Sequence, residues 1–297
     1  MSVVHKHALR HELYREKWPR SYAFVIVPIV FVFLLLAYAF FALYLGHGYT
    51  GAARLFAHVV PIPAAIVEGD VIWYAEVAEF ANVFDRARAE EGADVPDPFQ
   101  AALDRAVSNA HLRSYAESIG VQVTRSDVQS YVIDDEDFET FLHDVHWSES
   151  RYRRLVIEPL LYAQAAEAIV YDDAAQQIAS SERVTNVKRD LERGIRFEDL
   201  AIQYSDDPSG TSGGFLGFYT KDAMPSGLEE VFDDAVRTPS EILDTDGAFV
   251  IAQIYDTIII DGERAQVALQ IISIKKTGLA PVLETYVEGR KVWYLVR

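Results

Sequence analysis

The chain has 297 residues, enough for one or two domains with attached segments, and 50% of its residues are apolar. It holds no cysteine, which excludes disulfide bonds, thiolate catalysis and cysteine-based zinc sites. Its net charge of −18 at pH 7 disfavours binding to nucleic acid, because the phosphates are also negative.

The first predicted element is an uncharged apolar segment of 24 residues, 22–45. As a helix it is long enough to cross a hydrocarbon core of about 30 Å. Residues 1–21 carry five Lys or Arg and two Glu, so the positive-inside rule places this tail in the cytoplasm. We therefore expect a single transmembrane helix in the lipid bilayer, a linker at 46–65 and an extracytoplasmic remainder at the cell membrane. A cleaved signal peptide and a buried core helix are the alternatives.

Residues 66–172 are predicted to be mainly helical. An entry strand and turn at 66–72 come first. Helical spacing of apolar residues, or residues typical of helix starts and stops, then predicts five helices, at 73–91, 98–119, 124–132, 135–145 and 148–171. Gly120 is a typical helix stop and Ser148 a typical N-cap. Ordinary core packing explains each apolar stripe taken singly.

The C-terminal part begins with a predicted helix at 173–194. The run FEDLAIQYSDDPSGTSGGFLGFYTKDAM over 197–224 follows, and it predicts a short helix, a turn-rich loop and a strand. A helix at 226–237 and two strands at 248–260 and 264–275 come next. Asp261-Gly262 between those strands is a strong hairpin signal. A short helix and an apolar end complete the chain.

The run 197–224 resembles the parvulin family of peptidyl-prolyl isomerases. The matched positions are Phe197, Leu200, Ala201, Tyr204, Ser205, Asp207, Gly213, Gly214, Leu216, Gly217, Tyr219, Met224, Leu228, Glu229 and Glu230. The entry strand adds a weaker likeness to extracytoplasmic foldases of the SurA and PrsA type. The resemblance implies an α+β fold, with a helical chaperone-like region at 66–172 and a parvulin-like domain with an antiparallel sheet at 173–297.

One feature of the strand order departs from the family. A parvulin domain usually begins with a strand before its first helix, whereas here helix 148–171 leads directly into helix 173–194. We expect residues 264–275 to supply that strand from the other end of the domain. An antiparallel pairing with 248–260 would then complete a circularly permuted sheet.

The resemblance also implies a proline-binding site that needs no metal and no cofactor. Catalytic positions are expected at Asp207, Leu216, Tyr219 and Met224, and substrate-binding positions at Phe218, Leu228, Phe232 and Phe249. Apolar side chains suit a proline ring, while Asp207 would act electrostatically and Asp206 would be solvated. The alternatives are ordinary core packing for the apolar residues and a turn role for Asp207.

The family histidines are missing. Many parvulins carry two, on the first and last strands, but all eight histidines of this chain precede residue 147. Phe249 stands at the last-strand position, and Gln270 or Ile271 at the other. His143 and His146 suggest a metal pair, but they have no apparent third ligand.

Two functions therefore stay open. One is a foldase that isomerises X-Pro bonds in unfolded or emerging exported polypeptides. The other is a membrane-anchored chaperone that binds peptide without catalysis. A third interpretation is a membrane-anchored structural protein in which the motif is coincidental.

Overall fold

The computed structural model describes residues 28–34, 37, 38, 41, 57–91, 97–133 and 137–296. The predicted membrane segment therefore lies mostly outside the described residues, as do the tail before it and much of the linker. Residues 28–34 are helical. In the part of the chain that the structure describes, no helix combines the length and apolarity needed to cross a membrane.

The chain divides into two compact units. The first contains the described residues up to Ile66, Val71–Asp104 and the C-terminal residues from Trp293. The second contains Val67–Asp70 and Arg105–Val292. The domain boundaries expected from the sequence remain a prediction.

The first unit contains a small sheet and the start of the helical region. Strands β1 (Pro63–Val67), β2 (Asp70–Trp73) and β7 (Val292–Tyr294) form a sheet in the order β2-β1-β7. Helix α1 (Tyr74–Glu91) follows β2 directly, and helix α2 (Pro98–Ser118) begins in this unit. The rings of Tyr74 and Phe99 lie 5.1 Å apart in the core, so the two helices meet through buried aromatic contacts.

The second unit continues the helical region. Its helices are α3 (Arg125–Ser130), α4 (Phe138–Val145), α5 (Glu149–Tyr152), α6 (Glu158–Asp172), α7 (Ile178–Glu192), α8 (Phe197–Tyr204) and α9 (Leu279–Val287). A π-helical turn, Arg153–Ile157, joins α5 to α6. Ser148 caps α5 as predicted, because its Oγ accepts from the Arg151 N–H at 3.3 Å. Buried Tyr115, Tyr162 and Leu279 belong to one helical core.

A four-stranded antiparallel sheet forms the C-terminal part of this unit. Its strands are β3 (Phe215–Tyr219), β4 (Leu243–Asp244), β5 (Ala248–Ile260) and β6 (Glu263–Lys275), in the order β3-β6-β5-β4. Asp261 and Gly262 have φ values of 53° and 87°, as a tight hairpin turn requires. The predicted hairpin is confirmed, and the last long strand of the chain lies between β3 and β5.

The two faces of this sheet bury different sets of side chains, because successive residues of a strand point to opposite sides. Ile251, Ile272 and Ile274 pack with residues of α7 and α8 on one face. Val250, Ala252, Ile254, Leu269 and Ile271 lie on the other face, beneath residues 224–232. Each buried aliphatic side chain stabilises the fold by about 1.5–3 kcal/mol, so both faces contribute to stability.

The helix predicted at 226–237 is wrong. Only a 3₁₀ helix forms there, Glu229–Asp233. Val236 then forms an isolated parallel β-bridge with Ile254 of β5. The Arg264 guanidinium donates to the carbonyl oxygens of Phe232 and Asp234. These two contacts hold the segment against the sheet in a path that an α-helix would not follow.

Candidate functional site

The two glycines before β3 let the loop approach the centre of the sheet. The Ile271 N–H donates to the Gly214 carbonyl oxygen at 2.9 Å. Gly214 has a φ of +83°, and a Cβ at this position would collide with the Ile271 carbonyl oxygen. Side chains are disfavoured at positive φ, so glycine alone meets both demands. The glycine pair thus allows a close contact between the start of β3 and β6.

The loop that follows α8 is fastened to β6 by Ser205 and Asp206. The Ser273 N–H donates to Ser205 Oγ at 3.1 Å, and the Asp206 N–H donates to the Ser273 carbonyl at 2.7 Å. The Asp206 carboxylate accepts from the Lys275 N–H at 2.9 Å and from both Arg183 Nη atoms at 3.1 Å. Asp206 was expected to be solvated, and its side chain is 29% exposed, but its carboxylate also forms this clamp.

The clamp makes stability depend on pH. Burial raises the pKa of Asp206, but hydrogen bonds from Arg183 and the Lys275 N–H outweigh burial and lower the pKa below its usual value. Its contribution is therefore present above the unfolded-state pKa of about 3.9 and is lost as pH falls through the folded-state pKa. We expect Asp206→Asn to lower the thermal midpoint at pH 7 and to flatten its fall in acid. Calorimetry from pH 7 downward measures both.

Asp199→Asn is the matched control for this substitution, because Asp199 is exposed on α8. We expect it to leave both the midpoint and its pH dependence near those of the wild type. An Asp206→Asn protein that loses stability in acid as steeply as the wild type would contradict the assigned role.

An apolar cluster covers the face of the sheet opposite to α7 and α8. Met224, Leu228 and Phe232 are buried in it above β5 and β6, and Leu216 and Tyr219 of β3 are partly buried at its edge. These are five of the eight site residues predicted from the sequence. The fold brings them together because the chain after β3 turns back across this face.

The other three predicted residues lie elsewhere. Phe249 packs on the opposite face with the cluster that includes Leu200, so the structure does not bring it to this site. Phe218 is 51% exposed, and its ring meets that of Phe215 edge to face at 6.1 Å. Asp207 caps the 3₁₀ helix that begins at Pro208, and its Oδ1 accepts from the Ser209 N–H at 2.8 Å.

A buried glutamine pair links β5, β6 and the glycine loop. Gln253 Nε2 donates to Gln270 Oε1 at 2.8 Å, and Gln270 Nε2 donates to the Gly213 carbonyl at 3.2 Å. Gln270 is one of the two positions proposed for a missing histidine, whereas Gln253 was not predicted. The sequence does contain a signal for Gln253, which is a polar residue in the middle of an apolar strand. A buried amide needs hydrogen-bond partners, so such a residue indicates a buried polar contact.

One part of the chain matches a known protein family. Residues 162–257 match the family model of the PPIC-type PPIase domain. The chain carries a parvulin domain. The matched range ends inside β5, so β6 lies beyond it although β6 occupies the sheet between β3 and β5. The antiparallel pairing of β6 with β5 supports the permuted strand order expected from the sequence.

Two similar proteins are both named Chaperone SurA. The one from Hahella chejuensis is 27% identical over 174 residues, which are 56% of this chain and 39% of that protein. The one from Methylococcus capsulatus is 36% identical over 66 residues, which are 20% of this chain and 14% of that protein. The chain thus spans well under half the length of these curated relatives.

The side chains of this cluster that reach the surface are those of Leu216 and Tyr219, which are partly buried at its edge. Met224, Leu228 and Phe232 lie buried behind them, and Lys221 Nζ lies 5.8 Å from the Phe232 ring centroid and 2.7 Å from Asp233 Oδ2. Among the described residues, no group of three or more His, Asp or Glu is placed to hold a metal ion.

Proposed function

We propose that the parvulin domain catalyses cis–trans isomerisation of X-Pro peptide bonds. The observation that carries this proposal is the cluster of Leu216, Tyr219, Met224, Leu228 and Phe232 beside the clamped glycine loop. All five residues lie inside the range that matches the PPIC-type PPIase domain. The proline ring would pack on the cluster, and the rotating amide would face the loop.

The physical task suits such a site. Rotation about a peptide bond crosses a barrier of about 18–20 kcal/mol, because the bond has partial double-bond character. No bond is broken, so the reaction needs no nucleophile. An apolar surface that holds the ring and removes water from the amide favours the less polar twisted state over the planar one.

The clamped loop would fix the amide relative to that surface. Ser205 and Asp206 are bonded to β6, and Gly214 is in close contact with it, so the loop and the apolar cluster share one rigid support. A rigid arrangement lowers the cost of holding the amide in its reactive geometry.

Asp207, which lies in the loop after α8 and outside the apolar cluster, would act electrostatically on the bound amide. Asn caps a helix as well as Asp does, so Asp207→Asn removes the charge while leaving the bond from the Ser209 N–H in place. We expect the substitution to lower kcat/KM for X-Pro isomerisation about tenfold, with an unfolding free energy within about 0.5 kcal/mol of wild type.

Asp207→Ala removes both the cap and the charge, so comparison with Asp207→Asn distinguishes the two effects. It should lower both activity and stability, the latter by about 1 kcal/mol, because the cap is also lost. Asp207→Asn with full activity would exclude the electrostatic role.

The second candidate function is peptide binding without catalysis. The observation that favours it is that a buried Gln253–Gln270 pair lies in a domain without histidine. All eight histidines of the chain precede residue 147. Both similar proteins are named as chaperones, which supports a role in binding unfolded polypeptides. The helical region before the parvulin domain would then hold client chains.

One refolding experiment separates the two functions. The purified chain is added to a client protein whose slow refolding phase is an X-Pro isomerisation. Isomerase activity predicts a slow phase that accelerates in proportion to the amount of added chain. An unchanged slow phase together with suppressed client aggregation would favour the binding function and overturn the catalytic one.

We further propose that the chain acts outside the cytoplasm, anchored to the cell membrane by the segment 22–45. Its support is the sequence alone: 24 uncharged residues preceded by a basic tail. A C-terminal fusion to a reporter enzyme that needs disulfide bonds should be active, and a fusion to a cytoplasm-restricted fluorescent protein should be dark. The reverse result would overturn this location.

A further inference from the structure

An arginine-lined cavity lies in the helical part of the second unit. It measures about 430 Å³ and is bounded by α3, α5, the π turn and the start of α6. Arg125, Arg153 and Arg154 supply its positive wall, and Val123 and Val128 supply apolar surface. A cavity of this size accommodates a side chain with part of its backbone, because small-molecule sites begin near about 300 Å³.

The Arg153 side chain connects the elements that surround the cavity. Its Nε donates to Glu149 at 2.8 Å, and its Nη1 donates to the carbonyl oxygens of Val128 and Tyr131 at 2.8 and 2.9 Å. These bonds join the π turn to α3. The π turn also places Arg153 and Arg154 in the same wall, and single π turns inside helices frequently occur at functional sites.

One acidic residue, Glu158, lines the cavity, and Glu149 and Asp127 belong to the elements around it; all three already have partners. Glu149 is paired with Arg153, and Glu158 accepts from Arg113 Nη2 at 2.8 Å. Asp127 accepts from the backbone and hydroxyl groups of Thr124, both at 2.7 Å. Their charges are therefore engaged within the protein.

Arg125 and Arg154 remain available to a ligand. Within the described residues, neither guanidinium forms an ion pair or a hydrogen bond, and both side chains are exposed. Helices α3 and α5 and the π turn together hold four arginines and two acidic residues, in a chain whose net charge is −18. The cavity is thus a local positive site on an acidic protein.

We propose that this cavity binds a carboxylate of a client polypeptide, a proposal that rests on the proposed chaperone or foldase function. Two guanidinium forks match the two oxygens of a carboxylate, which they bind with short charge-assisted hydrogen bonds. Val123 and Val128 would contact the aliphatic part of the same residue. The carboxylate is either an acidic side chain or the C-terminal group of the client.

Peptide binding to the 297-residue chain tests this assignment. The probes are three fluorescent unfolded peptides without proline: one amidated with a central Asp, one amidated with Asn instead, and the Asn peptide with a free C-terminus. We expect the Asp peptide or the free-carboxylate peptide to bind about tenfold more tightly than the amidated Asn peptide. Which of the two does so identifies the source of the carboxylate.

The double variant Arg125→Gln/Arg154→Gln should remove that difference. Arg189→Gln/Arg193→Gln, which makes the same change in net charge at the C-terminal end of α7, should preserve it. Equal affinity of the wild-type chain for all three peptides, or an unchanged preference in the double variant, overturns the proposal. Displacement by phosphate as effective as displacement by acetate also overturns it, because the site would then select anions in general.

The test is independent of catalysis. The probes lack proline, so the carboxylate preference is measured whether or not the parvulin domain is active. The double variant should isomerise a neutral X-Pro peptide at the wild-type rate, because neither arginine belongs to the cluster on the sheet.

Discussion

Replacing Gly214 with alanine is expected to destabilise the second unit by about 2–5 kcal/mol. Two costs combine at this position. The φ of +83° is unfavourable for any residue with a side chain, and the added Cβ would overlap the Ile271 carbonyl oxygen on β6. The Ile271 N–H also donates to the Gly214 carbonyl, so relief of the overlap would break a bond that joins the loop to the sheet. Denaturant unfolding followed by circular dichroism measures the loss.

Gly217→Ala is the matched control. Gly217 also has a positive φ, +123°, but an added Cβ would meet no atom within 4 Å. It therefore carries the backbone cost alone, about 1–3 kcal/mol. Equal losses in the two variants would show that the contact with β6 does not require glycine at 214.

Met224→Ala is expected to lower kcat/KM for X-Pro isomerisation by about tenfold to a hundredfold. Met224 is buried in the cluster that covers β5 and β6, together with Leu228 and Phe232. Truncation removes a wall of the surface proposed to hold the proline ring. The rate should be measured well below the unfolding midpoint, since loss of a buried Met also costs about 2–5 kcal/mol of stability.

Leu200→Ala separates catalysis from stability. Leu200 is buried on the opposite face of the same sheet, where it packs with Val184 and Ile251. Its truncation should cost a similar free energy of unfolding and leave kcat/KM near the wild-type value while the protein is folded. Comparable losses of activity in both variants would mean that Met224 acts through general stability.

Much of this fold was predictable because its signals are local. Asp261-Gly262 fixed the β5–β6 hairpin, since both residues adopt positive φ. The near-continuous apolar runs within the two long strands follow from burial on both faces of the sheet. The five residues of the cluster were implied by the parvulin resemblance, and they come together because Leu216 to Phe232 belong to one continuous segment that crosses the sheet.

Other features depended on contacts distant in sequence. Phe249 faces α7 and α8 because the register pairs it with Ile274, which the sequence of β5 alone does not reveal. Asp206 is bonded to Arg183 and to the end of β6, two partners distant in sequence that its position in a turn-rich loop does not reveal. The 3₁₀ segment after Met224 follows the sheet because Arg264 binds its carbonyl groups.

The most direct test is exchange NMR on a short X-Pro peptide in the presence of the purified chain. The cis and trans proline signals report the interconversion rate, which without catalysis takes tens to hundreds of seconds. The parvulin assignment predicts faster exchange that rises with the amount of chain and falls with Met224→Ala. Exchange at the buffer rate, from a chain whose own spectrum shows a folded protein, would contradict the proposed isomerase.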